Sequence, residues 1–253
     1  MVITVDASLT TDRFSAEIFH LLWGQDRVGV PTAVDYAYEH IWKLIIVGTF
    51  KEGQRLTDVA LAEDLRLSRT PVRHALDRLV QDGLIHADPR RGYWVRVFAA
   101  QDVHEIYDVR GSLEVLALRL AAPHLDVADF AAQLDTLRTV RARLDERPLA
   151  LFLQSDLRLH NLLIHASANG RLIRILAALR SQLSVFQVRD ASYLPRIETA
   201  LEDHERILRY LVAGEIEPAA DALAAHIAHA KAGVLADLFD RSNEGATRSA
   251  PGA

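Results

Sequence analysis

Apolar residues in the first third of the chain follow a helical period and then give way to short β-prone runs. Helices are predicted over 32–48, from Thr57 onward, and over 68–83. Each range begins with a capping Ser or Thr, and the first and third end at a glycine. Runs at 84–87 and 93–97, separated by a turn that contains proline and glycine, predict a two-stranded wing. Three helices followed by a wing is the order of a winged helix-turn-helix.

From about Ala100 the pattern changes to long amphipathic segments without strand signals. The predicted helices cover roughly 101–122, 127–145, 148–168, 170–190, 196–213 and 217–239. Prolines and glycines fall between these segments, as the short connections of an antiparallel bundle require. The predicted fold is therefore mainly α, with a winged helix-turn-helix at 32–98 and an antiparallel all-helical bundle at 99–240.

The two ends of the chain give weaker patterns. Residues 1–31 form an extension of unknown role, in which Thr11 to Gly24 is a helical candidate. Residues 241–253 are small and polar, which predicts a disordered tail.

Composition limits the partners and the chemistry. The net charge is −5, yet the stretch from Lys51 to Arg96 holds nine basic residues against seven acidic ones, so it is locally basic. Because the chain has no cysteine, any metal has to bind histidines and carboxylates. No apolar run approaches the roughly 18 residues of a membrane helix. We therefore expect a soluble, cytoplasmic protein with no membrane partner.

The start of the third helix carries two arginines four residues apart, Arg69 and Arg73, which therefore project from one face. Arginine pairs with guanine in the major groove, and helix N-termini favour phosphate. Thr70 lies between them, and Arg91 and Gly92 at the wing tip would approach the DNA backbone. The alternative is that both arginines are ordinary solvated residues balanced by nearby acids.

The helical half contains a candidate metal site. Asp156 and His160 lie four residues apart and so share a helix face, and His204 and His226 on later helices could add ligands. Imidazole and carboxylate suit zinc, nickel, manganese or iron. Spacing alone leaves other histidines open, namely His165 and His229. It also leaves open that these side chains are only hydrogen-bonded.

The N-terminal motifs resemble the GntR superfamily of regulators. The matching residues are Gly53-Gln54-Arg55-Leu56, Leu61-Ala62-Glu63-Asp64-Leu65, Ser68 to Leu76, Leu79, Gly83-Leu84 and Gly92. His74 and Asp58 stand where the family usually has glutamate. The resemblance implies a homodimeric transcription regulator on an approximately palindromic double-stranded operator. It places the DNA contacts at Arg69, Thr70, Arg73, Arg91 and Gly92.

The helical half resembles the FCD ligand-binding domain of the FadR-like GntR branch, whose motif is Asp-x-x-x-His followed by single histidines on two later helices. This resemblance selects the metal ligands Asp156, His160, His204 and His226, with zinc the first choice. It implies a small carboxylate or sugar acid as effector. Arg110 is expected to bind the effector, unless it only pairs with Glu114. The expected protein is a repressor controlled by that acid.

Three other functions fit parts of the pattern. The metal itself could be the signal, which would make the domain a metal sensor. A metal-dependent hydrolase could use the same ligands, but the second histidine of the His-Glu-x-x-His motif, a phosphate-binding glycine loop and a serine elbow are all missing. A helical partner-binding protein would leave the run from Ser68 to Leu76 unexplained. We therefore expect no enzymatic activity.

Overall fold

The structure is a computed structural model that describes residues 31–88, 91–146, 149–190 and 194–248. The helical candidate from Thr11 to Gly24 lies outside the described residues. The described chain forms two compact units. Unit 1 holds the residues up to Val97 together with Ala177–Val188, and unit 2 holds Phe98–Leu176 and the residues from Arg189 onward.

Unit 1 has the predicted order of three helices and a wing. Its elements are α1 (Ala33–Ile46), β1 (Arg55–Leu56), α2 (Asp58–Leu65), α3 (Arg69–Gln81), β2 (Ile85–Asp88) and β3 (Gly92–Val95). Thr32 caps α1 in a capping box with Asp35, and Thr57 caps α2 by accepting a hydrogen bond from the Ala60 N–H. Ser68 stands at the N-cap of α3, where its side chain makes no capping hydrogen bond within the described structure.

The wing contains a third strand that the periodicity did not predict. Both outer strands pair antiparallel with β3, in the order β1-β3-β2. β1 has only two residues, of which Arg55 is exposed and Leu56 is buried, so its pattern is too short to recognise in the sequence.

The core of unit 1 lies where α1 packs on α3. Tyr38 and Trp42 of α1 are fully buried there. The Tyr38 hydroxyl donates to the carboxylate of Asp82 at the end of α3 and lies 3.4 Å from Ser181 Oγ. The segment Ala177–Val188 is thereby fixed to the core of this unit.

Long helices make up unit 2, which confirms the mainly α prediction. The helices are α4 (Ala100–Ala121), α5 (Val127–Ala142), α6 (Leu149–Ala166), α7 (Gly170–Asp190), α8 (Leu194–Val212) and α9 (Ile216–Arg248), with short 3₁₀ turns at Ala122–His124 and Leu144–Glu146. α4 packs against α6 and α9, α8 packs against α9 and α5, and α5 also contacts α6. Among the described residues, the buried charged and histidine side chains come from four of these helices, α4, α6, α8 and α9.

Helix α7 belongs to both units. Leu172 and Leu176 in its first turns pack with Ala117 and Ile164 of unit 2, whereas Ala177–Val188 belongs to unit 1. The sequence pattern predicts that the whole helix lies in the C-terminal bundle, because a continuous amphipathic pattern does not indicate which unit covers it.

The last helix is longer than its pattern predicts. α9 continues to Arg248, through positions whose small and polar residues predict a disordered tail. Extending an existing helix costs much less than nucleating one, so polar residues can prolong it. Residues 249–253 lie outside the described residues. Within the described chain, no helix combines the length and apolarity that a membrane span needs.

Candidate nucleic-acid interface and metal centre

The first turns of α3 present polar residues on one side and apolar residues on the other. Arg69, Thr70 and Arg73 are exposed, whereas Val72 and Leu76 are fully buried. The buried side fixes the helix on unit 1, and the polar side is left to solvent. The three predicted DNA-contacting residues of α3 therefore lie on an open surface.

An ion pair holds Arg69 in place. Its Nε and Nη2 donate to Asp58 Oδ2 at 3.2 and 2.8 Å, across the junction of α2 and α3. The hydrogen bond from Arg69 is the main reason that the pKa of Asp58 lies below its ordinary value. The Arg69 side chain nevertheless keeps 61% of its surface exposed. Sequence reasoning missed this contact, because the two residues are eleven positions apart and lie on different helices.

The wing is tied to the same helix. Tyr93 of β3 donates its hydroxyl to Asp77 Oδ1 of α3 at 2.9 Å, and burial raises the pKa of that hydroxyl. Arg91 is exposed at the wing tip, and its backbone N–H donates to Asp88. Gly92 follows with a φ of +98°, which side chains with a Cβ rarely adopt. That these residues contact DNA stays a prediction.

In unit 2, four buried side chains from three helices converge. Asp156 and His160 come from α6, His204 from α8 and His226 from α9, and one potential ligand atom of each lies within 4.8 Å of the others. None of the four is more than 6% exposed. The structure thus brings together the four residues that the resemblance selects.

The spacing of these atoms suits a shared cation. Nε2 of His204 lies 3.1 Å from Nε2 of His226, and Asp156 Oδ1 lies 3.5 and 3.6 Å from Nε2 of His204 and His160. Ligand atoms about 2.0–2.1 Å from a tetrahedral metal stand about 3.3 Å apart. The separations and the donor types therefore fit a divalent metal held by three imidazoles and one carboxylate.

Burial and neighbouring charges together set the charge states of the ligands. It lowers the pKa of His204 and His226, so both rings are neutral near pH 7, the form that binds metals. Burial alone would raise the pKa of Asp156, but the hydrogen bond and charge of His160 lower it overall. Asp156 is therefore ionised.

Two further charged residues orient His160. Its Nδ1 donates to Glu114 Oε2, and Glu114 Oε1 accepts from Arg110 Nε at 2.7 Å. Burial would lower the pKa of His160, but the charge of Glu114 raises it to about 9, so a metal bound at Nε2 would have to displace a proton. A carboxylate on Nδ1 directs Nε2 toward the cluster, as in many metal sites. Nη2 of Arg110 lies 3.2 Å from that Nε2.

The Arg110–Glu114 ion pair is the alternative that the sequence left open for Arg110. It is present and buried, with 3% and 5% of the two side chains exposed. That Arg110 binds an effector stays a prediction.

The two competing histidines lie outside the cluster. His165 is exposed, and His229 is 53% exposed while its Nδ1 lies 2.7 Å from Asp203 Oδ2. The same Asp203 oxygen lies 3.7 Å from Nδ1 of the ligand His226. Sequence reasoning missed Asp203, since its proximity to His226 depends on how α8 packs on α9.

Comparison with known proteins agrees with both units. Residues 34–95 match the model of the bacterial regulatory proteins of the gntR family, and residues 105–229 match the FCD domain. The structure of E. coli McbR/YncC has a TM-score of 0.68 and 22% identity, covering 83% of this chain and all of that one, and so shows the same fold.

Sequence relatives support the same assignment. YdhC of Bacillus subtilis (strain 168), an uncharacterized HTH-type transcriptional regulator, is 31% identical over 200 residues, covering 76% of this chain and 86% of that protein. A Paenarthrobacter nicotinovorans protein named "Probable D-xylose utilization operon transcriptional repressor" is 30% identical over 186 residues, covering 73% and 80%. These proteins are regulators and not enzymes, which sets the hydrolase alternative aside. The chain is a DNA-binding transcription regulator and belongs to the GntR family of bacterial regulatory proteins, with a C-terminal FCD domain.

Proposed function

We propose that this regulator is a homodimeric repressor whose operator affinity is controlled by a small organic acid bound beside a divalent metal. The observation that carries the proposal is the buried cluster of Asp156, His160, His204 and His226, with the Arg110 guanidinium next to it. The repressor direction is supported by the name of the Paenarthrobacter relative.

The DNA contacts are proposed on α3 and the wing. Arg69 and Arg73 share one exposed face, where each guanidinium can reach a guanine edge in the major groove, with Thr70 between them. Arg91 and Gly92 approach the phosphates beside it. Arg69 reaches the groove by exchanging the Asp58 carboxylate for a base or phosphate, which is inexpensive because the ion pair lies in water.

The effector site is proposed around Arg110. The cluster would hold zinc, or another divalent metal that accepts imidazole, and a metal that expands its coordination beyond these four ligands would supply an anion-binding position. Arg110 supplies a second one, and a carboxylate of the effector would compete with Glu114 for its guanidinium. Because Glu114 also holds His160, this exchange alters the contact between α4 and α6. A coupling of about 1–3 kcal/mol would change operator affinity roughly 5- to 150-fold.

The dimer is proposed through an apolar stripe on α4. Val109, Leu116 and Leu120 are 43%, 42% and 38% exposed, and partly buried Leu113 lies between them in the sequence. Steps of four, three and four residues place all of them on one helix face, which can pack against its own copy about a two-fold axis. Leu116→Glu should give monomers in light scattering, whereas Val127→Glu, a control at a residue 54% exposed, should stay dimeric.

The regulatory proposal is tested on an operator selected by the wild-type chain from a pool of random double-stranded DNA. Mono- and dicarboxylates and sugar acids are then added to the complex, with and without a chelator. We expect one class of acid to weaken operator binding, and His204→Ala to bind the operator without responding to that acid. If chelation alone changes affinity and no acid does, the domain is a metal sensor. If neither changes affinity, the proposal is wrong.

A further inference from the structure

The turn between α2 and α3 contains an arginine in an unusual backbone conformation. Arg66 has φ 55° and ψ 39°, in the left-handed region. Its N–H donates to the Glu63 carbonyl at 3.1 Å, and the Leu67 N–H donates to the Ala62 carbonyl at 3.0 Å. This pair of bonds is the Schellman ending of a helix, which requires a left-handed residue at the position of Arg66. The conformation is therefore dictated by the tight turn that leads into α3.

The turn requires the conformation but not the arginine. Glycine adopts these angles without cost and asparagine with little, whereas other side chains are disfavoured there. Because glycine would form the same turn at lower cost, the turn alone does not account for an arginine at this position. Within the described chain, the Arg66 guanidinium makes no hydrogen bond and no ion pair, and the residue is exposed. Non-glycine residues in the left-handed region are concentrated at functional sites.

The surroundings of Arg66 favour an anion. Arg69 begins α3 only three residues later, and the first N–H groups of that helix carry the positive end of its dipole. The Ser68 side chain, at the N-cap, makes no capping hydrogen bond within the described structure. Arg69 itself is occupied by Asp58. Arg66 is therefore a cation beside an exposed helix N-terminus, and it has no protein partner among the described residues.

We infer that Arg66 binds a DNA phosphate at the edge of the groove that α3 enters. This inference rests on the proposed function, in which α3 is the recognition helix, that is, the helix that enters the major groove. Phosphate is the expected ligand because the side chain is exposed, long and adjacent to an N-terminus that favours negative charge. Such a contact strengthens binding to any DNA sequence and increases its salt dependence.

The test compares Arg66→Asn, which tolerates the backbone angles without the charge, with Arg66→Lys, which keeps the charge. Fluorescence anisotropy is measured on a duplex selected by the wild-type chain and on a shuffled duplex, over a series of salt concentrations. We expect Arg66→Asn to weaken binding to both duplexes several-fold, and to reduce the slope of log affinity against log salt by about one per bound protomer. Arg66→Lys should stay close to wild type.

Two controls separate charge, fold and recognition. Arg138→Gln removes one exposed charge from α5 and should leave DNA affinity unchanged. The melting temperature of Arg66→Asn should equal or exceed that of wild type, since strain is relieved. A lower melting temperature in both Arg66 variants, with weaker binding in both, would assign the residue to folding and overturn the inference.

The double variant Arg69→Ala/Arg73→Ala distinguishes the two proposals. If it loses operator binding while Arg66→Asn matches wild type in affinity and salt slope, only the inference on Arg66 is wrong. If the double variant also matches wild type, α3 is not the recognition helix and the proposed DNA contacts fail with it.

Discussion

The two units use the same kind of ion pair in opposite environments. Arg69 pairs with Asp58 at 2.8 Å and Arg110 pairs with Glu114 at 2.7 Å, so the two pairs are nearly equal in length. The first pair leaves 61% of the arginine exposed, and the second leaves 3%. An exposed pair contributes little and opens easily, whereas a buried pair cannot lose one partner without leaving an isolated charge in the interior. The exposed pair suits a surface that meets DNA, and the buried pair suits a site where a bound anion has to replace a carboxylate.

The largest expected effect follows from breaking the buried pair. Glu114→Gln leaves Arg110 without its counter-charge and weakens the support of His160, so we expect the free energy of unfolding to fall by about 3–5 kcal/mol. The measurement is urea unfolding of the metal-free chain, followed by circular dichroism.

The matched control is on the same helix. Arg119 of α4 pairs with Glu217 at 2.6 Å on the surface. Arg119→Ala should leave the urea midpoint unchanged, because water replaces the partner. If the two variants lose equal stability, the contrast between buried and exposed pairs does not hold for this protein.

The second prediction concerns the metal. His204→Ala removes a fully buried ligand, and we expect at least a 100-fold loss of zinc affinity, more than the roughly 10- to 100-fold typical of residues that only support a ligand. His229→Ala is the control, because His229 is exposed on the same helix as His226. Zinc content after dialysis and competition with a chromogenic chelator measure both. Equal retention of zinc by the two variants would exclude the cluster as the metal site.

The two sites also differ in how far the sequence predicts them. The α3 surface lies in one continuous run, so its residues are placed as soon as the helix is recognised. The pair Asp156 and His160 is local as well. His204 and His226 lie on two other helices, and hydrophobic periodicity does not show which histidines of separate helices converge. Only the family motif selects these two over the other histidines.

The supporting residues could not be predicted in either unit. Asp58 meets Arg69, and Asp203 approaches His226, only through the packing of one helix on another. The two-residue strand β1 and the left-handed angles of Arg66 likewise depend on backbone geometry, which hydrophobic periodicity does not encode.

The third prediction concerns the exposed surface itself. If each arginine contacts a guanine, Arg69→Ala or Arg73→Ala should weaken binding to the selected operator by about 1–3 kcal/mol. Binding to a shuffled duplex should weaken less, because only phosphate attraction is lost there. Anisotropy titrations on both duplexes measure the difference. An equal loss on both would mean that these arginines contact phosphates and not bases.

The smallest expected effect belongs to the exposed pair. Asp58→Asn should lower the free energy of unfolding at pH 7 by only about 0.2–1 kcal/mol. The pKa of Asp58 is lowered from 3.8 in the folded chain, so the contribution of the pair is fully present above pH 3.8 and disappears as the pH falls through the lower folded value. The difference between wild type and Asp58→Asn should therefore vanish in acid, and high salt should reduce it at pH 7.

A double-mutant cycle with Arg69→Ala isolates this pair from the charge that Asp58 also places in the first turn of α2. A coupling energy within that range, sensitive to salt, is expected of a pair in water that DNA can open. A coupling of several kcal/mol that survives high salt would mean that Arg69 is held as tightly as Arg110. Operator binding would then have to break a strong contact in unit 1, and the difference drawn between the two units would disappear.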